Sequence, residues 1–277
     1  MLIDSVGKIY RLLPSVKGKG FLARKIIAPL VRGKNLESVV EMRNPGGGKL
    51  ICNLDDWIPW NVFIYGNYQV ETSYELFMIN RAKGCQTIFD IGANIGYYTI
   101  QFARVINGCV YSFEPMSYQF NTLTRNIALN QVNNITAIKS IVSDTNGVER
   151  IYFSSMQNTG LSSVIEESPN YEDVSAVSID YFCQEQKIDT IDLIKIDVEG
   201  YELSVLKGMQ QMLSNKQVKS LFVEINALNL RKAGTSPQEI CSYLQQFGYS
   251  AYSIKSGEIN SYNVGNDESL VYFALEA

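Results

Sequence analysis

Thr87-Ile88-Phe89-Asp90 reads as a buried strand that runs into the turn Ile91-Gly92-Ala93-Asn94-Ile95-Gly96 and then into a helix opening with Tyr97-Tyr98-Thr99. Glycines at 92 and 96 let a ligand approach the backbone closely, and a helix starting there offers unpaired amides and the positive end of its dipole. The turn is therefore a candidate nucleotide-edge site. Its G-x-x-x-G spacing differs from the G-x-G-x-x-G of dinucleotide binding, and Asp90 stands where a pyrophosphate would lie. A carboxylate there repels phosphate and attracts a cation. The matching ligand carries an ammonium or sulfonium group and no phosphate, a description that S-adenosylmethionine satisfies.

Glu114, at the end of the next strand in Val110-Tyr111-Ser112-Phe113-Glu114-Pro115, is placed to accept two hydrogen bonds from a ribose diol. After the third strand, Ser143-Asp144 is positioned to meet an adenine amino group. Further on, Lys195 and Asp197 are two apart on a strand and share a face, Glu199 and Gly200 open a helix, and the fifth strand ends in Glu224-Ile225-Asn226.

The chain contains no histidine. A Ser-His or Cys-His nucleophile, an imidazole base and a histidine-ligated metal are thereby excluded. A hydroxyl acceptor must then lose its proton to a carboxylate, to a lysine of depressed pKa, or to solvent with the help of a metal. Asp197 is the first candidate base, with Glu199 and Glu224 beside it, because neighbouring acids raise one another's pKa. Lys195 would orient them. The structural alternatives are that Asp197 and Glu199 only cap the helix near Gly200 and that Lys195 only pairs with an acid. A metal variant has Asp197, Glu224 and Asn226 giving three oxygens to Mg2+.

The elements that must position these groups alternate strand and helix from Gln86 onward, as in a parallel sheet covered by helices. Core strands are expected at 87–90, 109–113, 135–138, 191–196, 220–224 and 270–274, with helices at 96–105, 117–130, 202–213 and 237–247. Extra strands at 147–154 and 176–182 would form a β insertion before the fourth core strand. The fold class expected is α/β and Rossmann-like, a mostly parallel sheet with helices on both faces. Two domains are read: a basic arm over 1–50, closed by the turn Pro45-Gly46-Gly47-Gly48, and a catalytic body over 51–277 with its signature at about 86–230.

With 277 residues, 46% of them hydrophobic and 19% charged, the chain can bury a substantial core. Its 24 basic and 28 acidic residues disfavour a general nucleic-acid clamp. Residues 1–50 hold ten basic and three acidic side chains, a surplus of +7 in a chain whose net charge is -4. The run from Phe21 to Arg32 mixes apolar and cationic residues as a membrane-surface helix does, and as an ordinary solvated helix also does. Five widely spaced cysteines without a C-x-x-C suggest a reducing cytoplasm. Asp4, Lys8 and Arg11 interrupt what would be the apolar centre of a secretory signal, so the expected location is cytoplasmic, peripheral to a membrane if the arm meets one.

Five stretches carry a family resemblance: Tyr65-Gly66-Asn67-Tyr68-Gln69-Val70-Glu71, Asp90 to Thr99, Phe113-Glu114-Pro115, Asn158-Thr159-Gly160-Leu161-Ser162-Ser163, and Ile191-Asp192-Leu193-Ile194-Lys195-Ile196-Asp197-Val198-Glu199-Gly200-Tyr201-Glu202. Over residues 60 to 230 the chain resembles the FkbM-type S-adenosylmethionine-dependent methyltransferases. The resemblance implies O-methylation of a hydroxyl on a sugar, glycolipid or secondary metabolite, with S-adenosyl-L-homocysteine as product. Glu71 stands two residues later than the family's usual acid after the tyrosine. Expected cofactor contacts are Asp90, Gly92, Asn94, Gly96, Glu114, Ser143, Asp144 and Asp197. Asn158, Ser162 and Ser163 are candidate acceptor contacts, and Trp57 and Trp60 either stack on a sugar ring or pack the arm against the body. Two other readings remain at this stage: a nicotinamide-dependent oxidoreductase and a non-catalytic cofactor-binding module.

Overall fold

The run Leu193–Ile196 is buried at every position and Thr87–Ile91 at all but its first, the pattern of central strands covered on both faces. In the computed structural model, which describes residues 2–12, 19–68, 72–153, 168–265 and 269–275, these two strands lie side by side. Chain order is α1 (Leu2–Leu12), α2 (Lys19–Leu22), a π-helical turn (Ala23–Ile27), α3 (Ala28–Val31), β1 (Glu37–Glu41), β2 (Lys49–Asn53), α4 (Trp57–Tyr65) and α5 (Thr72–Ala82). Then follow β3 (Thr87–Ile91), α6 (Tyr97–Val105), β4 (Cys109–Phe113), α7 (Ser117–Asn130), β5 (Ile135–Ile138), β6 (Ile141–Val142), β7 (Gly147–Tyr152), β8 (Tyr171–Val177) and α8 (Ile179–Gln186). The chain continues through β9 (Leu193–Ile196), α9 (Glu202–Lys207), α10 (Gln210–Ser214), β10 (Ser220–Ile225), α11 (Ala227–Lys232), α12 (Pro237–Gln246), β11 (Tyr249–Lys255), β12 (Glu258–Ser261) and β13 (Ser269–Leu275).

The main sheet has the order β12-β11-β13-β10-β9-β3-β4-β5. Strands β5, β4, β3, β9 and β10 are parallel, and β13, β11 and β12 add an antiparallel edge. From β3 the chain winds outward through β4 and β5, then returns to β9 on the other side of β3. This reversal makes the carboxyl ends of β3 and β9 a topological switch point, where an open α/β sheet binds its ligand. Alternation along the strands divides the core: Ile88, Leu193 and Phe222 face one cluster, while Phe89, Ile194 and Val223 face the other. A second sheet, β6-β8-β7, packs Ile141, Ile151, Val174 and Ala176 against Met116 beyond the end of β4.

Several boundaries differ from the sequence reading. The 176–182 run is not one strand, because β8 ends at Val177 and the Ser178 hydroxyl accepts the Tyr181 amide to start α8. The helix expected over 202–213 is broken at Gly208–Met209 into α9 and α10. Pro45-Gly46-Gly47-Gly48 joins β1 to β2 in an antiparallel hairpin, so the division placed at residue 50 falls inside β2. Ala23, Ile27, Val31 and Val40 share one core cluster with Ile88 and Val110, so the basic segment is built into the body. No helix among the described residues is long and apolar enough to cross a membrane.

Phe222 is fully buried on β10 and packs against Phe77 and Tyr272 with ring centroids 6.0 and 4.9 Å away. Phe222→Ala should lower the unfolding free energy by about 3–5 kcal/mol in urea titration, with a far-UV spectrum unchanged in the folded baseline.

Candidate active site at the strand switch point

Asp90 and Lys195 face each other in register across β3 and β9, and both side chains are buried. The Lys195 ammonium lies 3.2 Å from Asp197 Oδ2 and 3.6 Å from Asp90 Oδ1, donates to the Gly92 carbonyl at 3.0 Å, and sits 5.5 Å from the centroid of the Tyr98 ring. Burial alone would lower its pKa, but Asp197 and Asp90 together reverse that and hold it above the ordinary lysine value. Lys195 is therefore a fixed cation and no base. Asp90 Oδ2 accepts the Thr99 hydroxyl at 2.5 Å, which ties the strand to the first turn of α6. Burial pushes the Asp90 carboxyl up, with Lys195 and Thr99 opposing.

The turn after β3 is closed on itself. The Gly92 and Ala93 amides donate to the Phe113 carbonyl, both at 3.0 Å, and the Asn94 amide donates to Glu114 Oε2 at 2.8 Å. The Ile95 amide donates to Asn94 Oδ1 at 2.8 Å and the Gly96 amide to the Ala93 carbonyl at 2.8 Å. The five turn amides from 92 to 96 are thus all engaged, and a pyrophosphate would find no donors among them. Gly92 has φ +76°, and a Cβ on it would lie 1.9 Å from the Asp197 carbonyl oxygen. The glycine is what lets the ends of β3 and β9 touch.

Around this junction opens a cleft of about 1190 Å3, its mouth included. Gly92, Asn94, Glu114, Lys195, Asp197, Glu199 and Glu224 line it. Asp90 lies behind the wall and touches the cleft only through Lys195. Glu114 is buried, takes one backbone amide on each oxygen, and is pushed up to about 7 by burial. One oxygen each of Asp197, Glu199 and Glu224 lies within 4.8 Å of the others. Glu199 has φ +55°, a costly backbone for a non-glycine residue, and its Oε2 accepts the Asn229 amide at 2.6 Å. Among the described lining residues four are acidic and Lys195 alone is basic.

Other expected residues stand elsewhere. Ser143 is buried against Glu149, and Asp144 accepts the Ser204 hydroxyl at 2.9 Å, so that pair is turned away from the cleft, which Ser140, Ile141 and Val142 line instead. Asn226 Oδ1 accepts the Leu228 and Asn229 backbone amides as the cap of α11, and the carboxylate found beside Asp197 and Glu224 is that of Glu199. The capping alternative for Asp197 and Glu199 is not what forms. Glu202 Oε1 takes the Val198 and Gly200 amides, at 3.3 and 3.1 Å. Trp60 is buried beneath Arg32 and Trp57 is exposed, and it is Ile58 between them that reaches the cleft. Glu71, Asn158, Ser162 and Ser163 lie outside the described residues. Gln119 was missed: it lines the cleft at 2% exposure, and neither polar atom of its amide has a hydrogen-bond partner.

The fold is Rossmann-like, a mostly parallel sheet with an acid-lined cleft at its switch point. Residues 90–251 match the methyltransferase FkbM domain, and the chain belongs to that family. A hexuronic acid methyltransferase, AglP of Haloferax volcanii, is 24% identical over 192 residues, which span 69% of this chain and 75% of that one. Methyltransferase sdnD of Sordaria araneosa is 30% identical over 158 residues, 45% of this chain and 60% of that one. The solved TYW2 of M. jannaschii with bound AdoMet aligns at 14% identity over 87% of this chain and 86% of that one, with a TM-score of 0.42. Membership of the family sets the oxidoreductase reading aside.

Gly92→Ala should abolish S-adenosylhomocysteine binding in calorimetry, because its Cβ collides with backbone. Ribose hydroxyls donating to the ionised form of Glu114 would make affinity flat above its pKa of about 7 and falling as pH drops through it. A weakening of about tenfold between roughly pH 8 and pH 6 is expected, and Glu114→Gln should remove that dependence.

Proposed function

We propose that the protein O-methylates a neutral hydroxyl, with a sugar as the acceptor group, and that Glu199 and Glu224 receive the proton. The observation that carries this reading is the set of three carboxylates, one oxygen of each within 4.8 Å of the others, gathered on the cleft wall beside Lys195. Asp197, the first candidate base from sequence, is the carboxylate that holds the Lys195 ammonium at 3.2 Å, a positioning role in this reading. Glu199 and Glu224 share the same corner of the cleft, one oxygen of each within 4.8 Å of the other, where an acceptor hydroxyl could reach both. S-adenosylmethionine supplies the methyl group from a sulfonium centre and leaves as S-adenosylhomocysteine. The acceptor oxygen is held in line with that centre, the proton passes to the glutamate pair, and positioning supplies most of the rate.

The cofactor would lie with its ribose on Glu114, its adenine between Gln119 and the Ser140–Val142 backbone, and its cationic end toward Asp197. Gln119 presents both a donor and an acceptor, which suits the amino group and adjacent ring nitrogen of adenine. Hexuronic acid is the acceptor group named for the Haloferax volcanii relative. Here an acidic wall with Lys195 as its one described cation disfavours a carboxylate-bearing acceptor and favours an uncharged sugar hydroxyl. Mg2+ is not needed for the pair to act as base.

Glu199→Gln and Glu224→Gln should each lower kcat about a hundredfold or more while the affinity for S-adenosylhomocysteine changes little, as single-turnover assays with labelled cofactor and a panel of neutral and acidic glycosides would read. EDTA should leave the rate unchanged; a rate lost to EDTA and restored by Mg2+ would replace the glutamate base with a metal-held hydroxyl. Gln119→Leu should weaken S-adenosylhomocysteine and erase its preference over the inosine analogue.

A further inference from the structure

Residues 5–36 contain eight basic side chains and no acidic one. Within the helical run 19–31 the inward positions are Lys19, Ala23, Ile27, Ala28 and Val31, all buried. A solvated helix would place polar residues opposite them. Here the outward side holds Phe21, Leu22, Ile26 and Leu30, each at least half exposed, with Arg24 and Lys25 exposed among them. On α1, Ile9 and Leu12 are 64% and 75% exposed beside exposed Lys8. The two pieces are joined where the Tyr10 hydroxyl donates to the Lys19 carbonyl, and Arg11 donates to the Phe63 carbonyl of α4 at 2.6 Å.

We infer that this face seats the protein on an anionic lipid bilayer, with Phe21, Leu22, Ile26 and Leu30 entering the acyl boundary and Lys8, Arg24 and Lys25 meeting the headgroups. Charge complementarity selects this occupant. Side chains of this kind gain from an apolar phase that a nucleic acid does not offer. A second copy packed about a two-fold axis would bring Arg24 and Lys25 against their own symmetry mates. An anionic bilayer satisfies the apolar and the cationic groups together. α1 packs on α4, whose Ile58 lines the cleft, so one helix links the docking face to the cleft wall. That geometry suits an acceptor sugar carried on a lipid.

The test is co-sedimentation of the full chain with vesicles of phosphatidylcholine alone and of phosphatidylcholine mixed with phosphatidylglycerol. Binding is expected to the mixed vesicles, to weaken with salt, and to fall about tenfold or more in Ile26→Glu/Leu30→Glu and in Arg24→Glu/Lys25→Glu. S-adenosylhomocysteine affinity should be unchanged in both variants, which separates loss of docking from loss of fold. A fold-preserving variant, Ile26→Trp, should show blue-shifted emission quenched by brominated acyl chains. Absence of binding to mixed vesicles, unquenched Ile26→Trp emission, or a dimer in sedimentation equilibrium that Ile26→Glu/Leu30→Glu dissolves would each overturn the inference.

Discussion

The arrangement depends on one ammonium group buried between two strands. Lys195 holds the start of the glycine turn through the Gly92 carbonyl, offsets Asp90 behind the cleft and neutralises Asp197 at its floor. A lone buried charge of either sign is strongly unfavourable, so these partners must stay together. Strands β3 and β9 are thereby locked in register at the point where the sheet's winding reverses, and the cleft exists because of that lock. Lysine suits the role because its compact charge lies within 3.6 Å of three different oxygens.

Ligand choice follows from how the turn spends its amides. In a phosphate-binding loop they point outward; here five successive amides are satisfied by Phe113, Glu114, Asn94 and Ala93. What faces the ligand is a wall of carboxylates, suited to a ribose diol and a cationic centre. Asp90, to which the sequence assigns the repulsion of phosphate, is sealed under Lys195. A preference for a phosphate-free ligand would instead arise from filled turn amides and from Glu114, Asp197, Glu199 and Glu224.

The alternation of strands and helices from residue 86 to 230 was readable because buried parallel strands are continuous β-branched runs, and all six expected core strands are present. The placement of Gly92, Glu114, Lys195 and Asp197 around the switch point was legible because each stands at or beside a strand end, where motif spacing reports position, whereas Gly96 caps α6 outside the cleft lining. Ser143, Asp144 and Asn226 were not, since their partners Glu149, Ser204 and the α11 amides are set by tertiary packing. Gln119 gives no sequence signal: a polar residue in the first turn of a helix is ordinarily solvated, and only the fold shows it buried and unpartnered. Strands β11 and β12 escaped notice because their mixed polar pattern lacks the apolar continuity of the central strands. The basic segment looked separable because charge says nothing of the inward stripe Ala23, Ile27 and Val31.

The most direct test of the central claim is calorimetric titration of S-adenosylhomocysteine into Lys195→Met alongside its unfolding in urea. Loss of the ammonium should cost about 3–5 kcal/mol of stability and abolish binding, with Asp90→Asn/Lys195→Met regaining much of the stability. A Lys195→Met protein that unfolds at the wild-type urea concentration and binds the ligand with undiminished affinity would contradict the account.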